Sequence, residues 1–380
     1  MKKVLIFGST GSIGHNTIEV LKNLKDYKVI GLATFSNYRS LIQQAKIFRP
    51  RYVTIVNERY YANIEKNLNK TKVLCGEDGL LKMVAESDSD ILVCAFSRAI
   101  GIYAILEAIK RRIRICLATK EILVSFGEIV MKEVRKNRAE LIPVDSEHSA
   151  VYQCLEGRNV SELDRIILTA SGGPFLKKSL RKVNKSDVLR HPVWNMGKKI
   201  TVDSATMMNK ALEIIEAHHL FDVSGEKIKV VIHPEAICHS LVQFVDGTIL
   251  GQFSLPDMKL PIQYALTTPE RRHSLVKSIE LDKVRKLTFL APDYEKFPSI
   301  NFAYQALEIG KSMPAVLNGA NEAAVHAFLG DKLKFQDIPV VIKKAMARHK
   351  PCAGNIEDYV RAEMWAKEFV KEEIENKGVH

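Results

Sequence analysis

VLIFGSTGSIG, residues 4–14, decides the fold of this chain. An apolar, strand-like run leads into Gly8, Gly11 and Gly14, and residues 16–24 then have helical spacing. Glycine at a strand-to-helix turn lets the backbone approach a pyrophosphate, which the N–H groups at the helix start attract. The spacing is GxxGxxG rather than GxGxxG, so an ordinary tight turn is the alternative. Its place between a strand and a helix favours a dinucleotide site.

Six further apolar runs within the first 145 residues alternate with segments of helical spacing. This alternation predicts a parallel sheet covered by helices, a doubly wound domain of Rossmann type. The runs lie at residues 28–33, 52–56, 73–75, 91–95, 113–118 and 141–144.

The rest of the chain has a different pattern. Apolar runs at residues 165–170 and 229–233, and two more around the turn dipeptide Asp246-Gly247, predict a small sheet with a hairpin. Residues 301–375 have helical spacing with breaks at proline and glycine. The predicted fold class is therefore α/β, with an N-terminal Rossmann-type doubly wound domain, a central α+β catalytic domain and a C-terminal helical bundle. The predicted boundaries are 1–145, 146–265 with a mobile loop at 172–198, a linker at 266–298, and 299–380.

Composition limits the class of protein. A chain of 380 residues, 46% hydrophobic and 26% charged, has the size and balance of a globular protein with two or three domains. It contains no apolar run of about 18 residues and does not start like a signal peptide, so we expect a cytoplasmic protein without membrane contact. Six scattered cysteines without a CxxC pair are expected to be reduced.

The net charge of +12 favours anionic partners. The basic clusters near residues 110–114, 177–185 and 343–350 have neither interleaved aromatic residues nor a nucleic-acid motif. We therefore expect a phosphorylated small molecule as partner and no nucleic acid, with a merely solubilising surface as the alternative.

The segment after the second strand indicates which nucleotide would bind. An NAD site has an acidic residue there for the ribose 2′-hydroxyl, whereas residues 33–39, ATFSNYR, contain no carboxylate. This favours the 2′-phosphate of NADP, with Ser36, Asn37 and Arg39 as contacts. The alternative is that Arg39 only opens a surface helix.

Polar clusters follow two more strands, at residues 118–121 (ATKE) and 144–148 (VDSEH). Ligands of parallel sheets bind beyond the carboxyl ends of the strands, where both clusters lie. Asp145 and Glu147 are two residues apart, and two carboxylates held together repel unless a cation or a proton joins them. The alternative is a pair of helix caps.

Residues 191–216, HPVWNMGKKITVDSATMMNKALEIIE, combine a polar loop with a helix. A helix that begins near Ser204 places a set of polar side chains on one face, opposite an apolar face. Asp203 and Ser204 would then be N-caps beside an anion. An ordinary amphipathic helix is the alternative. The polar set is Thr206, Asn209, Lys210, Glu213 and Glu216.

Three other groups of polar residues also have possible structural roles. Residues 171–175, SGGPF, suit a phosphate loop, a lid hinge or a plain turn. His233 and His239 suit catalysis or core packing equally. The polar cluster at residues 318–322 is adequately explained by helix packing.

The motifs GSTGSIG, ATKE, PVDSEH, LTASGGPF, HPVWNMGKKITVDSATMMNKALEIIEAH and IHPEAICHS occur in this order. With them the chain resembles the 1-deoxy-D-xylulose 5-phosphate reductoisomerase family along nearly its whole length. The resemblance implies rearrangement of the ketose phosphate and reduction by NADPH to 2-C-methyl-D-erythritol 4-phosphate, a step of the methylerythritol phosphate pathway to isoprenoids. It also implies a divalent ion, Mg²⁺ or Mn²⁺, and a homodimer.

The resemblance implies a role for individual residues. Asp145, Glu147 and Glu213 become the metal ligands and, together with Lys120, the catalytic residues. The implied substrate contacts are Lys120, Ser146, Glu147, Ser171, His191, Trp194, Met196, Ser204, Asn209, Lys210 and Glu213, with Trp194 on a loop that closes over the substrate. The implied cofactor contacts are Thr10, Gly11, Ser12, Ile13, Ser36, Asn37, Thr119, Glu121 and Gly197.

The chain departs from the family pattern at two cofactor positions. Phe35-Ser36-Asn37 replaces the usual Gly-(Lys/Arg)-Asn turn, and Thr119 replaces an asparagine. Weaker discrimination between NADPH and NADH, or a transfer of that task to Arg39, is therefore expected. The rival functions are another NADP-linked oxidoreductase, such as a semialdehyde dehydrogenase with a nucleophilic cysteine, and a nucleotide-sensing protein without catalysis.

Overall fold

The computed structural model describes residues 1–96, 99–180, 183–190, 193–194 and 197–376. The chain forms two compact units, each built from separate stretches of sequence. Unit 1 consists of Met1–Ile122, Val130–Tyr152 and Asp257–Lys277, and unit 2 of Leu123–Ile129, Gln153–Pro256 and Ser278–His380.

The strands are β1 Lys2–Phe7, β2 Tyr27–Thr34, β3 Tyr52–Ile55, β4 Lys72–Cys75, β5 Ile91–Cys94, β6 Arg114–Leu117, β7 Leu141–Pro143, β8 Leu163–Ala170, β9 Ile228–Ile232, β10 Cys238–Phe244 and β11 Ile249–Phe253. The helices are α1 Ser12–Asn23, α2 Tyr38–Phe48, α3 Tyr61–Glu65, α4 Gly76–Glu86, α5 Ile102–Lys110, α6 Lys120–Asn137, α7 Ser146–Leu155, α8 Lys185–Val188, α9 Lys198–Ala205, α10 Met208–Phe221, α11 Lys259–Thr267, α12 Ser299–Ile309, α13 Met313–Leu329, α14 Ile338–Arg348 and α15 Ile356–Asn376.

Unit 1 contains a seven-stranded parallel sheet in the order β4-β3-β2-β1-β5-β6-β7. The central strand β1 carries the apolar run of residues 4–7, whose side chains are fully buried, as expected for a strand covered on both faces. The strand order reverses beside β1, between β2 and β5. Such a reversal leaves a crevice beyond the strand ends, and the glycine turn after β1 lies there.

A late segment of the chain completes unit 1. Tyr27 donates from its hydroxyl to the carbonyl of Leu266 at 3.0 Å, and Arg114 donates from Nη1 to the carbonyl of Thr268 at 2.8 Å. The thiol of Cys116 contacts the carbonyl of Ala265 at 3.3 Å. Helix α11 and the residue after it therefore pack against β2 and β6, which come from the first part of the sequence.

Unit 2 contains a four-stranded mixed sheet in the order β11-β10-β8-β9. Strands β8 and β9 are parallel, whereas β10 is antiparallel to both β8 and β11. The predicted hairpin is present, with Gly247 at φ +87° in the turn between β10 and β11.

Helices α13 and α15 form the closest helix pair of unit 2. A Cβ atom on Gly319 would lie 2.4 Å from the carbonyl oxygen of Glu363, so only glycine permits this approach. Lys367 of α15 pairs with Glu363 at 2.7 Å and with Glu322 at 2.8 Å. Burial lowers the pKa of Lys367, but the two carboxylates outweigh it and the net shift is upward, so the pairs keep the buried ammonium charged.

The structure confirms the predicted fold class, with a Rossmann-type parallel sheet, a mixed central sheet and C-terminal helices. The predicted helix start near Ser204 is wrong, because α9 begins earlier and ends at Ala205, and α10 starts only at Met208. Asp203 and Ser204 thus lie in the last turn of α9 and are not N-caps. No described helix combines the length and apolar character needed to cross a membrane.

Candidate active site

The glycine turn of unit 1 has the geometry expected for a dinucleotide loop. Gly8 has φ +79°, and a Cβ atom there would lie 2.3 Å from the carbonyl oxygen of Ala95. A Cβ atom on Gly14 would lie 2.3 Å from the carbonyl oxygen of Gly8. Gly11 precedes the first residue of α1 and has no side chain to cap it. The turn therefore needs glycine and presents backbone N–H groups at a helix start, which suits a pyrophosphate.

The predicted cofactor contacts Thr10, Gly11, Ser12 and Ile13 all lie in this turn or in the first turn of α1. The hydroxyl of Thr10 is hydrogen-bonded to that of Thr34, the last residue of β2, at 2.5 Å. The glycine turn is thereby attached to the segment that follows β2.

The segment after β2 contains the residues predicted to select the nucleotide. Asn37 accepts a hydrogen bond from the N–H of Ser40 at 3.3 Å and caps α2, while Ser36 is exposed. Arg39 donates from Nε to the Tyr38 hydroxyl at 3.3 Å, and Tyr38 stacks on Tyr60 with centroids 5.1 Å apart. The positively charged Arg39 is thus held against a pair of stacked tyrosines, in the segment that borders the crevice beyond the strand ends.

Thr119 uses its hydroxyl within unit 1. It donates to the carbonyl of Phe96 at 2.8 Å and is buried. The hydroxyl therefore fixes the segment after β5, and a contact of Thr119 with the cofactor remains a prediction. Glu121, also buried, lies in the first turn of α6.

Lys120, Asp145, Ser146 and Glu147 meet at the carboxyl ends of β6 and β7. Lys120 and Asp145 form an ion pair. Ser146 donates from its backbone N–H to Asp145 at 3.0 Å and from its hydroxyl to Glu147 at 2.6 Å. The structure thus brings two carboxylates and a lysine together at one sheet edge, and the helix-cap interpretation describes only part of these contacts.

In unit 2, a break between α9 and α10 separates the polar residues of the central motif. Met207 has φ +60° and is buried, an unfavourable conformation for a residue with a side chain. Ser204 lies before the break, and Asn209 and Lys210 lie after it. The break, rather than one continuous helix, sets the directions of these side chains.

Glu213 is fully buried in α10 between two polar neighbours. Asn209 donates from Nδ2 to its carboxylate at 2.5 Å, and Lys210 pairs with its other oxygen. The side chains of Lys210 and Glu213 are 4% and 0% exposed. Such pairing and hydrogen bonding offset part of the cost of burying two charged groups.

Ser171 and Ser204, both predicted substrate contacts, belong to backbone segments that touch each other. Gly173 has φ +64°, and a Cβ atom there would lie 2.8 Å from the carbonyl oxygen of Ser204. Ser171 accepts a hydrogen bond from the N–H of Gly173 at 3.3 Å. The SGGPF loop is therefore packed against the end of α9.

The predicted lid residues are described only in part. Trp194 lies beside His239, with ring centroids 6.2 Å apart. Gly197 is the N-cap residue of α9. His191 and Met196 lie outside the described residues.

Sequence reasoning missed a buried polar connection to the C-terminal helices. Asp203 is 1% exposed, pairs with Lys199 at 3.1 Å and accepts a hydrogen bond from Asn321 of α13 at 2.9 Å. Asn318, one turn earlier on α13, donates to Ser125 at 3.1 Å. Two amides three residues apart in an apolar helix are the available signal, and helix packing alone does not explain the bond from Asn321 to Asp203.

The two histidines with open roles in the sequence are bound to backbone groups. His233 donates from Nδ1 to the carbonyl of Thr288 at 2.9 Å and accepts from the N–H of Ile237 at 3.3 Å. His239 donates to the carbonyl of Ser254 at 3.0 Å. His233 is thereby held in a structural role, whereas His239 also borders Trp194.

The cysteines do not support thiol catalysis. Burial raises the pKa of Cys116 and of Cys238 to about 12 and moves the pKa of Cys94 in the same direction. These thiols stay protonated at neutral pH, which disfavours a nucleophilic role for them. Cys154 is also buried. Cys75 and Cys352 are less buried, and neither belongs to the proposed site residues described above.

Comparison with known proteins identifies the family. A family model described as 1-deoxy-D-xylulose 5-phosphate reductoisomerase matches residues 4–127. Models of the C-terminal domains of the same enzyme match residues 141–221 and 253–369. The chain belongs to the 1-deoxy-D-xylulose 5-phosphate reductoisomerase family. The predicted reductoisomerase function in the methylerythritol phosphate pathway, and the class of NADP-dependent oxidoreductase, are thereby confirmed.

Individual reductoisomerases match over their full length. The enzyme of Thermodesulfovibrio yellowstonii is 47% identical, over 98% of this chain and 100% of that protein. The enzyme of Geobacter metallireducens is also 47% identical, over 98% of this chain and 99% of that protein.

Solved reductoisomerase structures share the fold. The Zymomonas mobilis enzyme in complex with NADPH is 37% identical, with a TM-score of 0.92 over 98% of this chain and 99% of that chain. A reductoisomerase in complex with NADPH, fosmidomycin and magnesium is 36% identical, with a TM-score of 0.94 over 99% of this chain and 98% of that chain.

Proposed function

We propose that this chain converts 1-deoxy-D-xylulose 5-phosphate to 2-C-methyl-D-erythritol 4-phosphate with NADPH and a divalent ion, Mg²⁺ or Mn²⁺, using the residues described above. The observation that carries the proposal is the pairing, within unit 1, of a glycine turn with a lysine–carboxylate cluster, in a family whose relatives bind NADPH and magnesium. When bound, the ion would polarise substrate oxygens as a Lewis acid and NADPH would supply the hydride.

The metal ligands proposed are Asp145 and Glu147 of unit 1 and Glu213 of unit 2. Each can offer one carboxylate oxygen. Oxygen donors alone suit a hard cation such as Mg²⁺ or Mn²⁺, and the absence of sulfur and imidazole donors from the set disfavours zinc. Asn209 and Ser146 orient two of these carboxylates through their hydrogen bonds.

The chain's own residues would bind and orient the substrate. Ser171, Ser204, Asn209 and Lys210 offer hydroxyl, amide and ammonium donors, the groups that recognise a phosphate. His191 and Met196 complete the proposed substrate contacts. Lys120, held by Asp145, would lie beside the reacting carbons and stabilise negative charge there.

The nucleotide would bind along the glycine turn of unit 1. The proposed contacts are Thr10, Gly11, Ser12, Ile13, Ser36, Asn37, Thr119, Glu121 and Gly197. Because the segment after β2 carries Arg39 and no carboxylate, we expect the 2′-phosphate of NADPH to be preferred over the free hydroxyl of NADH.

The decisive assay follows NADPH absorbance with purified protein and 1-deoxy-D-xylulose 5-phosphate. NADPH oxidation is expected only when Mg²⁺ or Mn²⁺ is added, and a chelator should stop it. Replacing NADPH by NADH in the same assay measures how strongly the protein prefers NADPH over NADH. Oxidation that needs no divalent ion would contradict the metal assignment, and the absence of any oxidation would contradict the proposed reaction.

Trp194 is proposed as the cover of the bound substrate, on the loop at residues 172–198. Replacing it by alanine should raise KM for the ketose phosphate by about tenfold, because a large apolar contact area is lost. KM for NADPH serves as the internal control and should stay unchanged. An unaltered KM for the ketose phosphate would count against the lid.

A homodimer is proposed through unit 2. Strand β11 lies at the edge of the sheet. Its residues Ile249 and Phe253 are 51% and 41% exposed to solvent. An apolar edge with unpaired backbone groups is complementary to the same edge of a second copy. Sedimentation velocity should give the mass of two chains, whereas a monomer at micromolar concentration would contradict the proposal.

The proposed domains are 1–145 for the nucleotide, 146–265 for catalysis, 266–298 as linker and 299–380 as helical domain, and the segment Asp257–Lys277 folds with the nucleotide domain in unit 1. The proposed location is the cytoplasm, supported by six cysteines that are not joined in disulfides. Recovery of the native protein from a membrane or secreted fraction would contradict this location.

A further inference from the structure

The junction of α9 and α10, residues 203–210, contains three proposed phosphate contacts. One lies before the interruption of the helix at Met207, and two lie after it. Ser204 precedes Met207, whose φ of +60° interrupts the helix, and Asn209 and Lys210 follow it. A change in φ or ψ at Met207 would alter the positions of Asn209 and Lys210 relative to Ser204. The geometry of the phosphate end therefore depends on what holds this break.

Contacts within the junction hold only part of it. The hydroxyl of Thr206 donates to the carbonyl of Val202 at 3.2 Å and accepts from the N–H of Met208 at 3.3 Å. These bonds join neighbouring residues along the chain. They would move together with the junction and do not fix its place in unit 2.

A contact from a distant helix fixes the junction in unit 2. The carboxylate of Asp203 is buried, so it is stable as an anion only if it is paired or hydrogen-bonded. Lys199, from the same helix, supplies a charge at 3.1 Å. Asn321 is 0% exposed in α13 and donates to the other carboxylate oxygen at 2.9 Å.

We propose that Asn321 is a positioning residue for the phosphate end of the substrate. Through Asp203 it holds the junction in the conformation in which Ser204, Asn209 and Lys210 point to one phosphate. The inference rests on the proposed substrate role of these three residues. It also gives the C-terminal helices a part in substrate binding, although none of their residues was predicted to contact the substrate.

An amide suits this position for a chemical reason. It donates to the buried carboxylate without adding charge, so Asp203 keeps Lys199 as its counter-ion. An aliphatic side chain would remove the donor and leave a carboxylate oxygen without its partner. The junction would then lose its buried hydrogen bond to α13.

The test compares Asn321→Ala with Asn318→Ala. Asn318 is the matched control, because it is also buried, lies one turn away on α13 and donates an amide hydrogen bond, but to Ser125. For Asn321→Ala, KM for 1-deoxy-D-xylulose 5-phosphate and the inhibition constant of inorganic phosphate should both rise by about tenfold, while kcat and KM for NADPH should stay within about twofold. Asn318→Ala should lower the thermal midpoint similarly without the change in KM.

The inference is overturned if Asn321→Ala leaves both constants unchanged, or if Asn318→Ala raises them equally. Asn321→Ser, which keeps a donor on a shorter side chain, replaces the alanine variant if that one does not fold, and should show the same direction. The variant Lys210→Met tests the underlying phosphate role separately. If Lys210→Met leaves phosphate inhibition unchanged, the phosphate role itself fails, and the inference fails with it. If only Asn321→Ala has no effect, the phosphate role stands and the positioning role fails.

Discussion

Glu213→Gln is expected to lower kcat at saturating Mg²⁺ by about a thousandfold or more, because turnover depends on charge stabilisation by the ion. Glutamine has nearly the same shape but a neutral oxygen, which is a poor ligand for a hard divalent cation. The measurement is the rate of NADPH oxidation over a range of Mn²⁺ concentrations, together with Mn²⁺ binding by calorimetry. Both should show weakened binding of the ion.

Stability must be measured beside activity in this variant. Glu213 is the buried partner of Lys210, so its neutralisation also removes an ion pair and should lower the thermal midpoint. Glu363→Gln is the matched control for metal binding, since Glu363 is also a buried carboxylate paired with a lysine, Lys367, and lies outside the proposed ligand set. Its Mn²⁺ affinity should remain that of the unaltered protein. Near-normal turnover of Glu213→Gln at ordinary Mg²⁺ concentration would remove Glu213 from the ligand set.

Lys210→Met is expected to raise KM for 1-deoxy-D-xylulose 5-phosphate by about a hundredfold, since the proposed charge-assisted contact with the phosphate would be lost in a buried setting. Methionine retains most of the apolar stem, but the buried carboxylate of Glu213 loses its counter-ion, so the thermal midpoint should also fall. KM for NADPH should remain unchanged. Steady-state kinetics with each substrate varied in turn measure both effects.

Lys198→Met is the control for loss of positive charge in the same segment. Lys198 is exposed at the start of α9, so its removal should change KM for the ketose phosphate by less than about twofold at physiological salt. An equal rise in both variants would show that Lys210 acts only through the general field of the protein, and would contradict a direct contact.

The fold could be predicted from sequence because its signals are local and repeated. The apolar run of β1, the glycines after it and the alternation of strands with helices each restrict the backbone independently. All seven predicted strands of the parallel sheet are present, with ends that differ by one or two residues. The predicted reductoisomerase function followed from the long central motif and is confirmed by family membership.

The sequence indicated which types of residue form the candidate site, but only part of their arrangement in space. Lys120, Asp145 and Ser146 are neighbours in space because two strand ends lie side by side, which sheet logic anticipates. The break at Met207 could not be predicted, since methionine gives no local signal for a positive φ and tertiary packing must enforce it. The bond from Asn321 to Asp203 spans more than a hundred residues and leaves no periodic pattern.

The late segment that completes unit 1 has a consequence for how the protein is made. Residues 257–277 supply the carbonyl groups that Tyr27 and Arg114 bind, so the nucleotide unit is unfinished while the ribosome is still synthesising β8 to β11. During that interval the apolar surface later covered by α11 stays accessible to chaperones and to other nascent chains. A chain that ends before α11 would therefore aggregate rather than yield an isolated nucleotide domain.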